Sequence, residues 1–281
     1  KLALREDAAH QDITSRAVIP PNARIRARII AKTPGILAGG PAAAWTFSTL
    51  DRSLHCALRA REGASLTRGQ TILTVEGHAR SIFAAERTAL NFLGHLSGIA
   101  TLTQEFVRRV AGTRAVILDT RKTLPGLRAL EKYAVRAGGG HNHRGSLAEA
   151  VLIKTNHLRV KGQGRRAKGR AVIEIAVSEA KRVRPRRFVE VEVVNLQEFS
   201  AALRAKADAI LLDNWSLRDI RRAVAIRAHP PFALRPSPFL EVSGGVTLAN
   251  VRAIAKTGAD RISIGRLTHS APALDVSLKL G

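Results

Sequence analysis

From residue 115 onward one short pattern recurs: an apolar run of three to six residues, a polar or charged residue at its end, then a stretch with helical spacing. The runs fall at 115–118, 150–153, 188–193, 209–212, 240–242 and 261–264. Short runs rich in Val, Ile and Leu read as strands buried on both faces, and helix-length connections between them call for parallel neighbours. Such units build a βα barrel, in which ligand-binding groups collect at the carboxyl ends of the strands. Here those ends carry Asp119, Lys154, Glu192, Asp213, Ser243 and Gly265. Six runs are fewer than a closed barrel needs.

The preceding residues follow a different pattern. Over 24–30 charged and apolar residues alternate, as in a strand with one wet face, and Pro34-Gly35 marks a turn. Helical spacing at 42–50 and strand-like runs at 54–60 and 71–75, separated by turns at Glu62-Gly63 and Arg68-Gly69, complete a small mixed α+β sandwich. A long helical region, 82–110, then aligns Phe83, Leu90, Leu93, Leu96, Ile99 and Leu102, and Gly94 and Gly98 are expected to interrupt or bend it. The expected organisation is an N-terminal α/β sandwich over 1–110 and a parallel β/α barrel over 111–270, with the tail 271–281 packing on the first domain.

A chain of 281 residues is long enough to bury a substantial core in two domains. Its formal net charge of +24 attracts anions. The cations crowd at 165–170, 181–187 and Arg221-Arg222, yet aromatic residues make up only 4%, which leaves little stacking surface for a single-strand binder. Solvated loops and helix faces are therefore expected, with no specific nucleic-acid partner. No apolar run is long enough for a bilayer span, so no membrane partner is expected. One cysteine, Cys56, and no secretory leader fit a reducing, cytoplasmic setting.

The richest stretch lies between 119 and 157. The strand at 115–118 delivers Asp119-Thr120-Arg121-Lys122-Thr123; a helix at 127–135 places Leu127, Leu130 and Ala134 on one face to pack over that strand; and Gly138-Gly139-Gly140 hands over to His143 and Arg144. The next strand ends at Lys154, with His157 just beyond. Arg121, Lys122, His143, Arg144 and Lys154 together suit a small carboxylate or phosphate ligand. His141 and His143 lack further ligands at metal spacing, so no structural metal is expected there, and His143 is expected to donate to a substrate or pack the site. Glu192 and Asp213 suit Mg²⁺ shared with phosphate oxygens, the plain alternative being salt bridges with nearby cations. Ser243-Gly244-Gly245 follows a strand and is expected to open a helix whose N–H groups receive a phosphate, strengthened one unit later by Gly265. The bland alternative is tight turns.

The ordered set of motifs resembles the quinolinate phosphoribosyltransferase family over nearly the whole chain: Asp119 to Thr123, Pro125-Gly126-Leu127-Arg128, Glu131 to Val135, Asn142-His143-Arg144, Ile153-Lys154 and Asn156-His157. The resemblance implies an N-terminal sandwich followed by an open, incomplete β/α barrel. It also implies phosphoribosyl transfer from phosphoribosyl pyrophosphate to quinolinate with decarboxylation, in de novo NAD biosynthesis. Quinolinate is a dicarboxylate, and Arg121, Arg144, Lys154 and Arg87 of a neighbouring subunit are implied to clamp it, with His143 and Lys122 beside them. A homodimer or higher homo-oligomer follows, whereas residues alone would pair Arg87 with Glu86. Lys122, Lys154, Glu192 and Asp213 are the implied catalytic set, Glu192 and Asp213 facing ribose and Mg²⁺. Ser243, Gly244, Gly245, Gly265 and His269 are expected to hold the 5-phosphate. Two positions depart from the family: Thr155 and Val194 stand where acids are usual. The rivals are a phosphoribosyltransferase for nicotinate or another aromatic acid without decarboxylation and, more distantly, a nucleic-acid-binding protein on the same scaffold.

Overall fold

The computed structural model describes residues 1–163, 170–232 and 237–281; the basic residues Arg165, Arg166 and Lys168 lie outside the described residues. Two compact units divide the chain. One holds Lys1–Gln104, Thr123–Gly140 and Arg266–Gly281, the other Glu105–Lys122 and His141–Gly265.

In chain order the elements begin with α1 (Leu2–Glu6), α2 (Ile13–Val18), β1 (Arg24–Ala31), β2 (Gly35–Ile36), α3 (Gly40–Leu50), β3 (His55–Leu58), β4 (Ser65–Leu66), β5 (Thr71–His78) and α4 (Ala79–Val110). There follow β6 (Val116–Leu118), α5 (Arg128–Ala137), β7 (Val151–Ile153), α6 (Thr155–Gly162), α7 (Arg170–Lys181), β8 (Val189–Val193) and α8 (Leu196–Arg204). The chain ends with β9 (Ala209–Asp213), α9 (Leu217–Ala228), β10 (Phe239–Ser243), α10 (Val251–Ala255), β11 (Arg261–Ser263), α11 (Arg266–His269) and β12 (Val276–Leu280).

The first unit is built on an antiparallel sheet in the order β12-β1-β5-β3. Strand β1 keeps the alternation of its sequence: Ala27, Ile29 and Ala31 are buried, while Arg24, Arg26 and Arg28 are exposed. Its buried face meets Leu37, Phe47, Leu73, Ile82 and Leu93 in one core. Helix α4 runs for 32 residues without the interruption expected at Gly94 and Gly98. Those glycines instead admit another backbone: the N–H of Leu274 donates to Gly94 O at 2.9 Å, and a Cβ on Gly98 would collide with the carbonyl oxygen of Pro272. Helix α5 also groups with this unit. Its Tyr133 hydroxyl donates to Glu62 Oε2 at 2.6 Å, and its buried Glu131 lies 3.0 Å from His95 Nε2.

In the second unit six parallel strands lie in the order β6-β11-β10-β9-β8-β7, with β6 and β7 at opposite edges, so the sheet is an open barrel-like array flanked by helices. Val189, Val191 and Val193 are fully buried on one face of β8, and Glu190 and Glu192 share the other. The register sets Glu192 beside Leu211, Leu211 beside Glu241, and Glu241 beside Arg261, so three charged residues and one leucine form a row across the sheet. Of the described residues in the three basic runs, Arg170, Arg182, Arg184, Arg186, Arg221 and Arg222 are exposed, while Lys181 and Arg187 are half-buried. Among the described residues no helix is long and apolar enough to cross a membrane.

Candidate active site

Parallel strands align their carboxyl ends, and the polar groups expected there are found at that end of the second unit. The N–H of Asp119 donates to His141 O at 3.1 Å and that of His141 to Ile117 O at 2.8 Å, tying the 141–143 segment to β6. Asp119 is fully buried, and its Oδ1 accepts from the His143 N–H at 2.9 Å. This acid therefore anchors the loop that presents Arg144.

Arg144 and Arg121 are close enough for their charges to interact. The Arg144 guanidinium loses some of its affinity for the proton, first through burial and then through Arg121, partly offset by Glu190. One Arg144 terminal nitrogen donates to Ala150 O at 2.9 Å, whereas its buried Nε has no hydrogen-bond partner among the described residues. Two half-buried guanidiniums held side by side repel, and an anion bound between them relieves that repulsion. Lys122 and Lys154 are exposed just past β6 and β7. His157 is a local capping group, its Nδ1 accepting from the Lys154 N–H at 2.8 Å.

The ring of His143 turns inward. Its Nδ1 accepts from the Arg144 N–H at 2.8 Å, and its Nε2 lies 2.9 Å from Glu190 Oε2 and 3.4 Å from Glu241 Oε1. Both carboxylates are only 1% exposed. Loss of hydration, then the neighbouring Glu190, pushes the Glu241 carboxyl up to about 7. Sequence reasoning missed Glu190 and Glu241. The available signal was parity: in Val189-Glu190-Val191-Glu192-Val193 the two acids share a face, so a site at Glu192 implies a second carboxylate below it.

Glu192 accepts from Thr155 at Oε1, with Thr155 Oγ1 at 2.5 Å and the Thr155 N–H at 3.2 Å. Asp213 accepts from Ser243 Oγ at 2.5 Å and from Asn214 Nδ2 at 2.9 Å, and it borders a pocket of about 620 Å³ with Val194, Asn195, Asn214 and Trp215. These carboxylates offer hard oxygen donors at the same end of neighbouring strands, a set that suits Mg²⁺ completed by phosphate and water. Among the described residues, the one group of three with metal-ligating atoms within 4.8 Å of each other is His143, Glu190 and Glu241, and it includes neither Glu192 nor Asp213.

Ser243-Gly244-Gly245 does not open a helix, contrary to the expectation. Helix α10 begins at Val251, after a loop in which Asn250 Oδ1 accepts from the Thr247 N–H at 2.8 Å. Gly244 and Gly245 are exposed with φ of 86° and 58°, and a Cβ on Gly244 would collide with the Asn214 amide. The loop is thus shaped by consecutive left-handed residues, a conformation that points successive N–H groups to one side. Gly265 follows β11 in the same unit, while His269 belongs to the first unit, at the end of α11, with Nδ1 2.6 Å from Ser270 Oγ. Arg87 is also in the first unit. It is exposed on α4 and borders a pocket of about 380 Å³ with Glu6, Asp7, Thr88, His95 and Leu124.

Residues 12–97 match the family described as quinolinate phosphoribosyl transferase, N-terminal domain, and residues 99–279 match its C-terminal domain. The chain is 40% identical over 284 residues to the nicotinate-nucleotide pyrophosphorylase (carboxylating) of Mycobacterium leprae, covering 99% of this chain and 94% of that protein. A probable nicotinate-nucleotide pyrophosphorylase (carboxylating) from Bacillus subtilis is 37% identical over 273 residues, with coverages of 97% and 89%. The solved nicotinate-nucleotide pyrophosphorylase of Francisella tularensis superposes with a TM-score of 0.88 at 39% identity, over 100% of this chain and 94% of that one.

Proposed function

This chain belongs to the quinolinate phosphoribosyltransferase family, and from that membership we propose that it moves the phosphoribosyl group of phosphoribosyl pyrophosphate onto quinolinate. The products are nicotinate mononucleotide, pyrophosphate and carbon dioxide, a step of de novo NAD biosynthesis. The observation that carries the substrate side is the Arg121–Arg144 pair, two adjacent cations, one with a buried and unpartnered Nε, at the carboxyl end of a parallel sheet.

Arg121 and Arg144 receive carboxylate of the diacid, with Lys154 and Lys122 at the mouth. Held this way, the ring nitrogen faces the anomeric carbon and forms the new N–C bond as the pyrophosphate oxygen departs with the old bonding pair. The positive ring nitrogen then draws electrons from the adjacent carbon–carboxylate bond. Carbon dioxide leaves, and the ring carbon takes a proton. No side chain acts as a nucleophile; placement and fixed positive charge do the work. The exposed Gly244–Gly245 turn and Gly265 offer N–H groups to the 5-phosphate. Glu192 and Asp213 contact the ribose hydroxyls and would hold Mg²⁺, which when bound neutralises charge on pyrophosphate.

Arg87 completes the clamp from a second copy of the chain, so the working form is at least a homodimer. Its exposure beside an open pocket supports that role. We place the enzyme in the cytoplasm. The direct test is to combine protein, quinolinate, phosphoribosyl pyrophosphate and Mg²⁺ and to measure nicotinate mononucleotide and carbon dioxide. Equimolar release supports the assignment. Product from nicotinate, without carbon dioxide and in preference to product from quinolinate, overturns it.

A further inference from the structure

Beneath Arg144 lies a buried assembly whose two carboxylates, Glu190 and Glu241, have no part in the proposed reaction. The ring of His143 is fixed at both nitrogens. Nδ1 accepts the Arg144 N–H at 2.8 Å, so the ring proton is assigned to Nε2, and that N–H points to Glu190 Oε2 at 2.9 Å with Glu241 Oε1 at 3.4 Å. The backbone N–H of His143 is held in turn by Asp119 at 2.9 Å. Arg144 thus follows a residue held from three places: Asp119 just after β6, Glu190 on β8 and Glu241 on β10. Its own guanidinium is steadied by Ala150 O at 2.9 Å.

Two carboxylates in the interior of a sheet are costly to bury. Glu190 Oε1 and Glu241 Oε2 have no hydrogen-bond partner among the described residues, so fold stability does not account for them. Glu241 also faces Ser263 and Arg261, but the contact the two acids share is the ring of His143, and through its Nδ1 the Arg144 backbone. We propose that Glu190, with Glu241 as second acceptor, is a positioning residue that locks the His143 ring and so aims Arg144 at a carboxylate of the bound diacid. The inference rests on Arg144 being a diacid-binding residue and extends it from the contacting side chain to the buried group that sets its direction. The same three side chains could instead ligate a divalent metal, since their donor atoms lie within 4.8 Å of one another. The hydrogen-bond reading is favoured because Arg144 already supplies positive charge to Glu190.

The test compares Glu190→Gln, whose amide oxygen still accepts from Nε2–H, with Glu190→Leu, which cannot. The expected result is a quinolinate KM within about threefold of wild type for Gln and raised about tenfold or more for Leu, with the phosphoribosyl pyrophosphate KM unchanged in both. Unchanged quinolinate KM in the Leu variant, or equal rises for both substrates, overturns the proposal. Should the Leu variant not fold, nitrogen-15 NMR of the wild-type histidines decides: His143 must carry a proton at Nε2 and leave Nδ1 as an acceptor, and a proton on Nδ1 overturns the assignment. Elemental analysis of the purified wild type supplies the last arm, where a stoichiometric metal lost in Glu241→Gln replaces positioning by ligation. A wild type that makes no product from quinolinate defeats the substrate reading separately, because the NMR result reports on the loop alone.

Discussion

Glu241 is buried beside a second carboxylate, Glu190, and the consequence is a pH dependence of stability. Burial raises its carboxyl from 4.5 to about 7, so between those values the folded protein binds a proton that the unfolded chain releases. Stability from this group is therefore full below about pH 4.5 and is lost as pH rises through about 7. Glu241→Gln is expected to raise the melting temperature at pH 8 by roughly 3–6 °C and to change it little at pH 5. Equal shifts at both pH values in calorimetry would remove the explanation. A second residue effect concerns Thr155, which stands where the family usually has an acid. Its hydroxyl bonds Glu192 at 2.5 Å, so it orients the neighbouring carboxylate without adding charge. Thr155→Val keeps the shape and removes that bond, and steady-state kinetics should show about a fivefold rise in the phosphoribosyl pyrophosphate KM with the quinolinate KM unchanged.

Helix α4 illustrates how an element can be legible in type and illegible in its purpose. Propensity alone makes each internal glycine a weakness worth about 1 kcal/mol against alanine, so Gly94 and Gly98 read as breaks. The unbroken helix shows that the deciding interaction is distant in sequence, since the backbone at Pro272 and Leu274 approaches where a Cβ would stand. Gly98→Ala is accordingly expected to destabilise by about 1–3 kcal/mol in urea unfolding, against the gain propensity forecasts; a raised midpoint would refute the packing account. The strands behaved differently. Each apolar run at 115–118, 150–153, 188–193, 209–212, 240–242 and 261–264 coincides with an observed strand to within a residue at either end, because burial on both faces leaves its mark in local composition. The late start of α10 was hidden because Gly244 and Gly245 specify a turn through φ, and Thr247 and Asn250 then bond each other across a further turn before the helix begins at Val251. Glu190 and Glu241 were overlooked because a lone acid in an apolar run looks like a strand-end ligand until register shows which neighbours share its face.

At the scale of the molecule, the division of labour between units carries a functional requirement. The cations on the β6 and β7 ends, the acids of β8 and β9 and the glycine turn after β10 all belong to the second unit, whereas Arg87 belongs to the first. If Arg87 serves the site of another copy, a defect there and a defect at Arg121 fall in different active sites of a mixed oligomer. Arg87→Ala and Arg121→Ala proteins should each be inactive with quinolinate alone. Mixed in equal amounts and allowed to exchange subunits, they should recover about a quarter of wild-type activity, because half of random dimers are hybrids and each hybrid contains one intact site. Recovery that tracks the hybrid fraction seen by native mass spectrometry confirms the shared site. Hybrids without activity would mean that Arg87 and Arg121 serve the same copy's site, and the requirement for a second subunit would fall.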